Sequence, residues 1–193
     1  MRTEYLNPKA LNAVIGFMTP PTALPMRVSI ETGLRIGDVV SLKTENLVGT
    51  EIRYTAHKTN KQGVAKISVD LMNLLLRNCD NGFLFPSANS KCGHITRQAV
   101  WKQVKKAALI ANIEKNIAPH TARKTYAVGE FKAHGLAAVQ KALQHSRVDT
   151  TLLYCLSDTS FLENHEQINS RLDALFEKLD IIIDLLNNKK TDA

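Results

Sequence analysis

The stretch that decides the reading is residues 118–154, APHTARKTYAVGEFKAHGLAAVQKALQHSRVDTTLLY. It opens on H-x-x-R (His120, Arg123), passes through a histidine in L-x-H-S (His145) and ends on Tyr154, nine positions further on. The remainder has the texture of three short helices. A tyrosine hydroxyl is a poor nucleophile near neutral pH, because its ordinary pKa is about 10. It attacks usefully only where its surroundings stabilise the charge that develops in the transition state. A phosphodiester meets that condition: its non-bridging oxygens gain negative charge as phosphorus becomes five-coordinate, and a guanidinium such as that of Arg123 presents planar donors matched to them. Imidazoles at His120 and His145 move protons near pH 7. These residue types point to phosphoryl transfer through a covalent tyrosine intermediate, with neither metal nor cofactor.

Charge is distributed around that stretch unevenly. Residues 91–147 carry eleven Lys or Arg against two acids, Glu114 and Glu130, whereas residues 148–193 carry four against nine. A basic block of this kind is the electrostatic footprint of a nucleic-acid face, although a basic helix face is also an ordinary solvated surface. The acidic tail is expected to face away from the phosphates. The 193 residues, 44% hydrophobic and 22% charged, suit one domain or one domain with an appendage. Cys79, Cys92 and Cys155 form no C-x-x-C pair, so neither a disulfide framework nor a zinc site is indicated and a reducing cytoplasm fits best. No signal-type N-terminus and no apolar run long enough to span a bilayer is present.

Upstream, residues 8–18 read as a short, mostly buried helix that the TPPTALP segment breaks, with a second helix beginning near Pro25 and capped by Gly33. In TGLRIGDVVSL, residues 32–42, the apolar residues anchor a turn and a short helix and leave Arg35 at the junction. Alone, Arg35 reads first as a helix-end arginine paired with Asp38; beside the later stretch it reads as a site residue. Residues 45–69 alternate like strands around the polar loop 57–63, whose glycine suits a hairpin turn. A lysine there can reach into a groove and protonate a leaving oxygen; a solvated tip suits Lys61 better than Lys58. Residues 70–78 read as a helix starting on an Asp cap, and 82–86 as a buried short strand or turn. Residues 96–111 form a helix with Val100, Trp101, Val104 and Ala108 inward, and Arg97, Lys102, Lys105 and Lys106 outward, where they can lie against a phosphate backbone.

Arg35, Lys58, His120, Arg123, His145 and Tyr154, in this order, make the chain resemble the tyrosine recombinases of the phage integrase family. The motifs are T-G-L-R-I-G-D, H-K-T-N-K, P-H-T-A-R-K-T-Y and L-Q-H-S-R-V-D-T-T-L-L-Y, and the likeness covers roughly residues 8–157. The resemblance implies an α+β, mainly α-helical catalytic domain with a small antiparallel sheet, followed by a long C-terminal helix. It implies site-specific recombination of double-stranded DNA (integration, excision or inversion) through a 3′-phosphotyrosine. Tyr154 is then the nucleophile, and Arg35 and Arg123 the clamp on the scissile phosphate, both expected to face a solvated site rather than the core. Lys58 is the general acid, His120 a proton acceptor, His145 a phosphate donor and Asp38 a support behind them. Lys61, Arg97, Lys102, Lys105, Lys106, Lys124 and Arg147 are the candidate DNA contacts.

The chain departs from the family pattern at Gln144, where glycine is common before the second histidine, and at Lys124, where a histidine often follows H-x-x-R. Only some 34 residues precede Arg35, so we expect a catalytic domain at 1–160, a helical tail at 161–193 and no N-terminal core-binding domain, as in the fimbrial phase-switch invertases. Two other functions fit the same residues: a DNA-binding regulator that keeps the fold, and a type IB topoisomerase-like nicking and closing enzyme. In the tail, Ile168, Leu172, Leu175, Leu179, Ile182 and Leu186 repeat at spacings of four and three, an a/d seam. Residues 165–188 are therefore expected to support a homo-oligomer on DNA, the alternative being an amphipathic cover on the chain's own domain. A cytoplasmic location, in a prokaryote or a virus-infected host cell, and no membrane partner complete the expectation.

Overall fold

Prolines and caps decide where the first helices begin. In the computed structural model, which describes residues 3–143, the Asn7 side chain accepts the Ala10 amide at 2.8 Å and Pro8 fills the first turn of α1 (Pro8–Gly16), where no amide hydrogen is needed. The same tolerance corrects the reading of the next segment. Helix α2 (Pro20–Thr32) starts at Pro20, not near Pro25: Pro20 and Pro21 occupy its opening positions and Pro25 lies inside it, forgoing one backbone bond. Burial offsets that loss, since Ala23, Leu24, Met26, Val28 and Ser29 are all enclosed. Gly33, at φ 69°, ends α2 in the left-handed conformation, as expected.

Arg35 caps the short α3 (Ile36–Val40). A three-stranded antiparallel sheet follows in the order β1 (Leu47–Val48), β2 (Glu51–Thr55), β3 (Gln62–Lys66), with Ile52 opposite Ala65 and Tyr54 opposite Gly63. The hairpin is where the sequence places it, but its left-handed residue is Asn60, at φ 51°, while Gly63 lies within β3. Asparagine tolerates that conformation, so glycine is not required. Helix α4 (Val69–Asn78) is capped by Ser68, whose Oγ accepts the Leu71 amide, rather than by Asp70, which sits in the first turn. Residues 82–86 form isolated bridges, with Leu84 and Phe85 fully buried.

Thr96 caps α5 (Arg97–Ile110) through the Ala99 amide. Val100, Val104 and Ala108 face the core as expected, but Trp101 is 47% exposed. It lies about 100° round the helix from Val100, off the apolar stripe. The last element, α6 (Pro119–Ala142), is two helices joined at Gly135, whose φ of 79° and ψ of −178° break the helical geometry. Leu11, Val14, Met26, Val28, Val39, Ile52, Leu75, Phe85, Val100, Val104 and Ile117 form the main core; Ala127, Val139 and Leu143 form a second, smaller one.

Residues 3–6 run along the start of α6. The Thr3 carbonyl accepts from Lys124 Nζ, the Glu4 carbonyl from Thr121 Oγ1 at 3.0 Å, and the Leu6 carbonyl from Thr125 Oγ1 at 2.7 Å. This strap has no counterpart in the sequence reading. No helix among the described residues is long and apolar enough to cross a membrane. His145, Arg147, Tyr154 and the tail 161–193 lie outside the described residues.

Candidate active site

One end of the site is a turn held by its own neighbours. Thr32 Oγ1 donates to the Val28 carbonyl at 2.6 Å and accepts the Leu34 amide at 3.2 Å, while Ser29 Oγ donates to the Leu34 carbonyl at 2.7 Å. All three polar groups of this small lattice are buried and satisfied, which fixes the backbone immediately before Arg35. Arg35 is half-buried, and its side chain lines a cleft of about 800 Å³. Asp38, 6% exposed, does not take the role of Arg35's partner; its Oδ1 accepts the backbone amide of His57 at 3.0 Å and ring Nδ1 of His57 at 2.8 Å. The hairpin tip, with Lys58 exposed on it, borders the same cleft.

The other end is the start of α6, where Ala118, Pro119, His120 and Arg123 line the cleft. A helix N-terminus favours an anion. Arg123 corrects the expectation of a solvated side chain: it is 3% exposed, with one terminal nitrogen donating to the Gly33 carbonyl at 2.5 Å and the other to the Leu143 carbonyl at 2.8 Å. Its aliphatic stem passes through packed protein and its guanidinium joins the end of α2 to the end of α6 while bordering the cleft. Gly33 suits this junction on two counts. Its φ is positive, and a Cβ there would run into the Tyr126 ring and the Leu143 side chain. Both arginines thus depend on the same tight turn.

Cationic surroundings set the electrostatics. Desolvation of the His120 imidazole at the cleft wall, then the positive charges of Arg123, Lys124 and Arg35, lower its pKa to about 4, so it is neutral at physiological pH in the DNA-free protein. A phosphate anion between the arginines would offset that field and raise its basicity. Tyr54, which the sequence offered only as an alternating strand residue, feels Arg123, Asp38 and Arg35; burial is the largest influence and raises its pKa. His57, Tyr54 and Trp101 are site neighbours that pattern reading missed. The adjacency of His57 to Lys58 is the one signal that pointed to any of them.

The candidate DNA contacts divide. Arg97 lines the cleft beside Gln98 and Trp101. Lys61, Lys102 and Lys106 are exposed outside its lining. Lys105 donates to Asn116 at 2.7 Å and stands 5.9 Å from the Trp101 ring centre, and Lys124 is bonded to the Thr3 carbonyl, so both are engaged within the protein. No group of three or more His, Cys, Asp or Glu side chains suited to hold a metal occurs among the described residues.

The family model described as "Phage integrase family" matches residues 4–160. The chain belongs to the phage integrase family. A tyrosine recombinase XerD from Staphylococcus saprophyticus is 30% identical over 137 residues, which are 64% of this chain and 45% of the relative. This family member therefore spans about half the length of the XerD relative it matches. Among solved structures, the catalytic domain of bacteriophage HP1 integrase has a TM-score of 0.64 at 23% identity, covering 87% of this chain and 96% of that one. The XerH site-specific recombinase bound to palindromic difH substrate, a post-cleavage complex, has a TM-score of 0.67 at 24% identity and covers 86% of this chain and 53% of that one. At such identities the two structures show the fold: a mainly helical tyrosine-recombinase catalytic domain with a small antiparallel sheet, as the motifs implied.

Proposed function

We propose that this family member is a site-specific recombinase that cuts and rejoins double-stranded DNA through a 3′-phosphotyrosine at Tyr154. The observation that carries the reading is one cleft lined together by Arg35, Lys58, His120 and Arg123, residues drawn from three separate parts of the chain. In the proposed step Tyr154 Oη bonds to the scissile phosphorus and the P–O5′ bond breaks. The tyrosine proton passes to neutral His120, and Lys58 Nζ gives a proton to the departing 5′ oxygen. Arg35 and Arg123, with His145, balance the charge on the non-bridging oxygens. A 5′ hydroxyl of another strand then attacks the phosphotyrosine. The phosphodiester bond is exchanged rather than hydrolysed, so no nucleotide is spent.

The XerH recombinase bound to palindromic difH substrate, and a lambda integrase of the same fold bound to DNA, support DNA as the partner here. Further parts of the reading rest on sequence: a catalytic unit at 1–160, self-association through residues 165–188, and a cytoplasmic location. Self-association should vanish in sedimentation when Leu172, Leu179 and Leu186 are made polar. The chemistry is tested by mixing the chain with supercoiled plasmid and with cognate-site DNA, quenching with detergent and looking for protein-linked DNA. Adduct with the wild type and none with Tyr154→Phe supports the proposal. Absence of adduct on every DNA would favour a DNA-binding regulator, and relaxation without a partner site a topoisomerase-like activity.

A further inference from the structure

The side chain that fastens the hairpin tip to the helix carrying Arg35 is His57, and neither its place beside Lys58 nor its bond to Asp38 is needed by the scheme above. Asp38 is a fixed post: it sits in the first turn of α3, its neighbours Val39 and Val40 are in the core, and the carboxylate itself is buried. One of its oxygens, Oδ1, accepts twice from the same residue, from the His57 amide at 3.0 Å and from ring Nδ1 at 2.8 Å. An ionised carboxylate only accepts, so Nδ1 carries the proton, and the bond is charge-assisted.

The rest of the tip shapes itself without docking. The amides of Thr59 and Asn60 both return to the Ala56 carbonyl, at 3.2 and 2.8 Å, and the Ala56 amide donates to the Lys61 carbonyl at 2.9 Å. Those bonds close the turn on itself, and residues 58–61 are exposed. Lysine carries its charge on a flexible four-carbon stem, so where its ammonium stands depends on where its backbone is held. The residue before it is held by two bonds to α3.

We infer that His57 is a positioning residue for Lys58: clamped to the buried Asp38 carboxylate, it sets the hairpin tip so that the lysine ammonium reaches the leaving 5′ oxygen in the cleft. The inference rests on the proposed role of Lys58 as general acid. The His57 side chain is 68% exposed, so its bond competes with water, and the backbone bond to Asp38 remains when the ring is removed. Its loss should slow cleavage by roughly tenfold, well short of losing the lysine itself. Asparagine can place an amide N–H where Nδ1–H stands, whereas alanine cannot.

The test is single-turnover cleavage by the full chain of two DNA substrates, one with the ordinary scissile phosphodiester and one with sulfur replacing the bridging 5′ oxygen, a leaving group that needs no proton. Lys58→Ala and His57→Ala should both be slowed on the oxygen substrate and both regain wild-type rate on the sulfur substrate, while His57→Asn should stay close to wild type on either. Each protein is its own control, so a general loss of stability would slow both substrates alike. If Lys58→Ala is restored by sulfur but His57→Ala is equally slow on both substrates, or is not slowed on oxygen, the positioning role is overturned. If Lys58→Ala is not restored, the general-acid role falls first and this inference with it.

Discussion

The turn that carries Arg35 is held by side chains no more than five positions from their partners: Ser29 to Leu34, Thr32 to Val28 and Leu34 to Thr32. The start of α6, which carries His120 and Arg123, is held by partners 90 to 121 positions away, through Gly33, Glu4, Leu6 and Thr3, and by Leu143, 20 positions on. One end of the cleft is thus a local device set into the core, and the other is a seam where the two ends of the described chain meet. Substitutions at the local end should act on chemistry, and on the whole fold only where a buried partner is orphaned. At the seam, stability should fall with each lost partner, and chemistry with it only where the side chain itself, or the turn it meets, borders the cleft.

The two arginines give the largest separation. Arg35→Ala should lower cleavage about a hundredfold or more, the usual consequence of removing one preorganised donor, without moving the denaturation midpoint. Arg123→Ala should lose cleavage to the same degree and also about 3 kcal/mol of stability, since two buried carbonyls lose a charged donor and the packed stem leaves a void. Cleavage and urea unfolding measured on the same preparations check both. An Arg123→Ala protein as stable as the wild type would mean that the seam does not depend on this side chain.

Gly33 lies where the two ends touch, and Gly33→Ala should cost about 2 kcal/mol or more through its positive φ and the collision with Tyr126 and Leu143. Thermal unfolding measures this, and loss of cleavage should accompany it. A finer cut compares two buried hydroxyls. Thr125→Val should cost about 1–2 kcal/mol by orphaning the Leu6 carbonyl, and Ser29→Ala a similar amount at the Leu34 carbonyl. Cleavage by the folded fraction should drop only for Ser29→Ala, because Leu34 adjoins Arg35. Equal rates for the two would erase the distinction between local device and seam.

The smallest effect is acid sensitivity. With a pKa of about 4 when folded against about 6.5 as the ordinary value, His120 excludes a proton that the unfolded chain binds between those pH values. Stability should therefore fall as pH drops from 6.5 toward 4, with no such contribution above 6.5. His120→Gln should flatten that slope in unfolding curves, modestly, because the ring lies against the cleft wall while much of the residue's surface stays open to solvent, which screens the shift. An unchanged slope would mean that desolvation and the neighbouring cations do not hold the imidazole neutral.

The same contrast explains what was legible in the sequence. T-G-L-R-I-G-D announces its turn because its bonds close within a few residues, and the hairpin is readable from alternation around a polar loop. The depth of Arg123 was not readable, because it follows from Gly33 and Leu143 meeting its guanidinium across the fold. Nor was the strap at residues 3–6, whose backbone groups find partners on α6 with no pattern of their own. Pro25 misled because proline's cost in a helix is one local bond, and burial along α2 outweighs it. Trp101 misled because a large aromatic suggests core, while its place on the helix turns it to the cleft. Residue type and spacing single out His120 and Arg123, which line the cleft, without showing how the fold holds them.

The proposed step requires that this cleft serve Tyr154. It is tested most directly by trapping the chain on cognate-site DNA with detergent, trimming the DNA with nuclease, digesting with trypsin and locating the attached nucleotide by mass spectrometry. The account predicts a phosphotyrosyl adduct on Tyr154, in the peptide of residues 148–171, joined to the 3′ side of the cleaved strand. An adduct on another residue, or one joined through a 5′ phosphate, would contradict it.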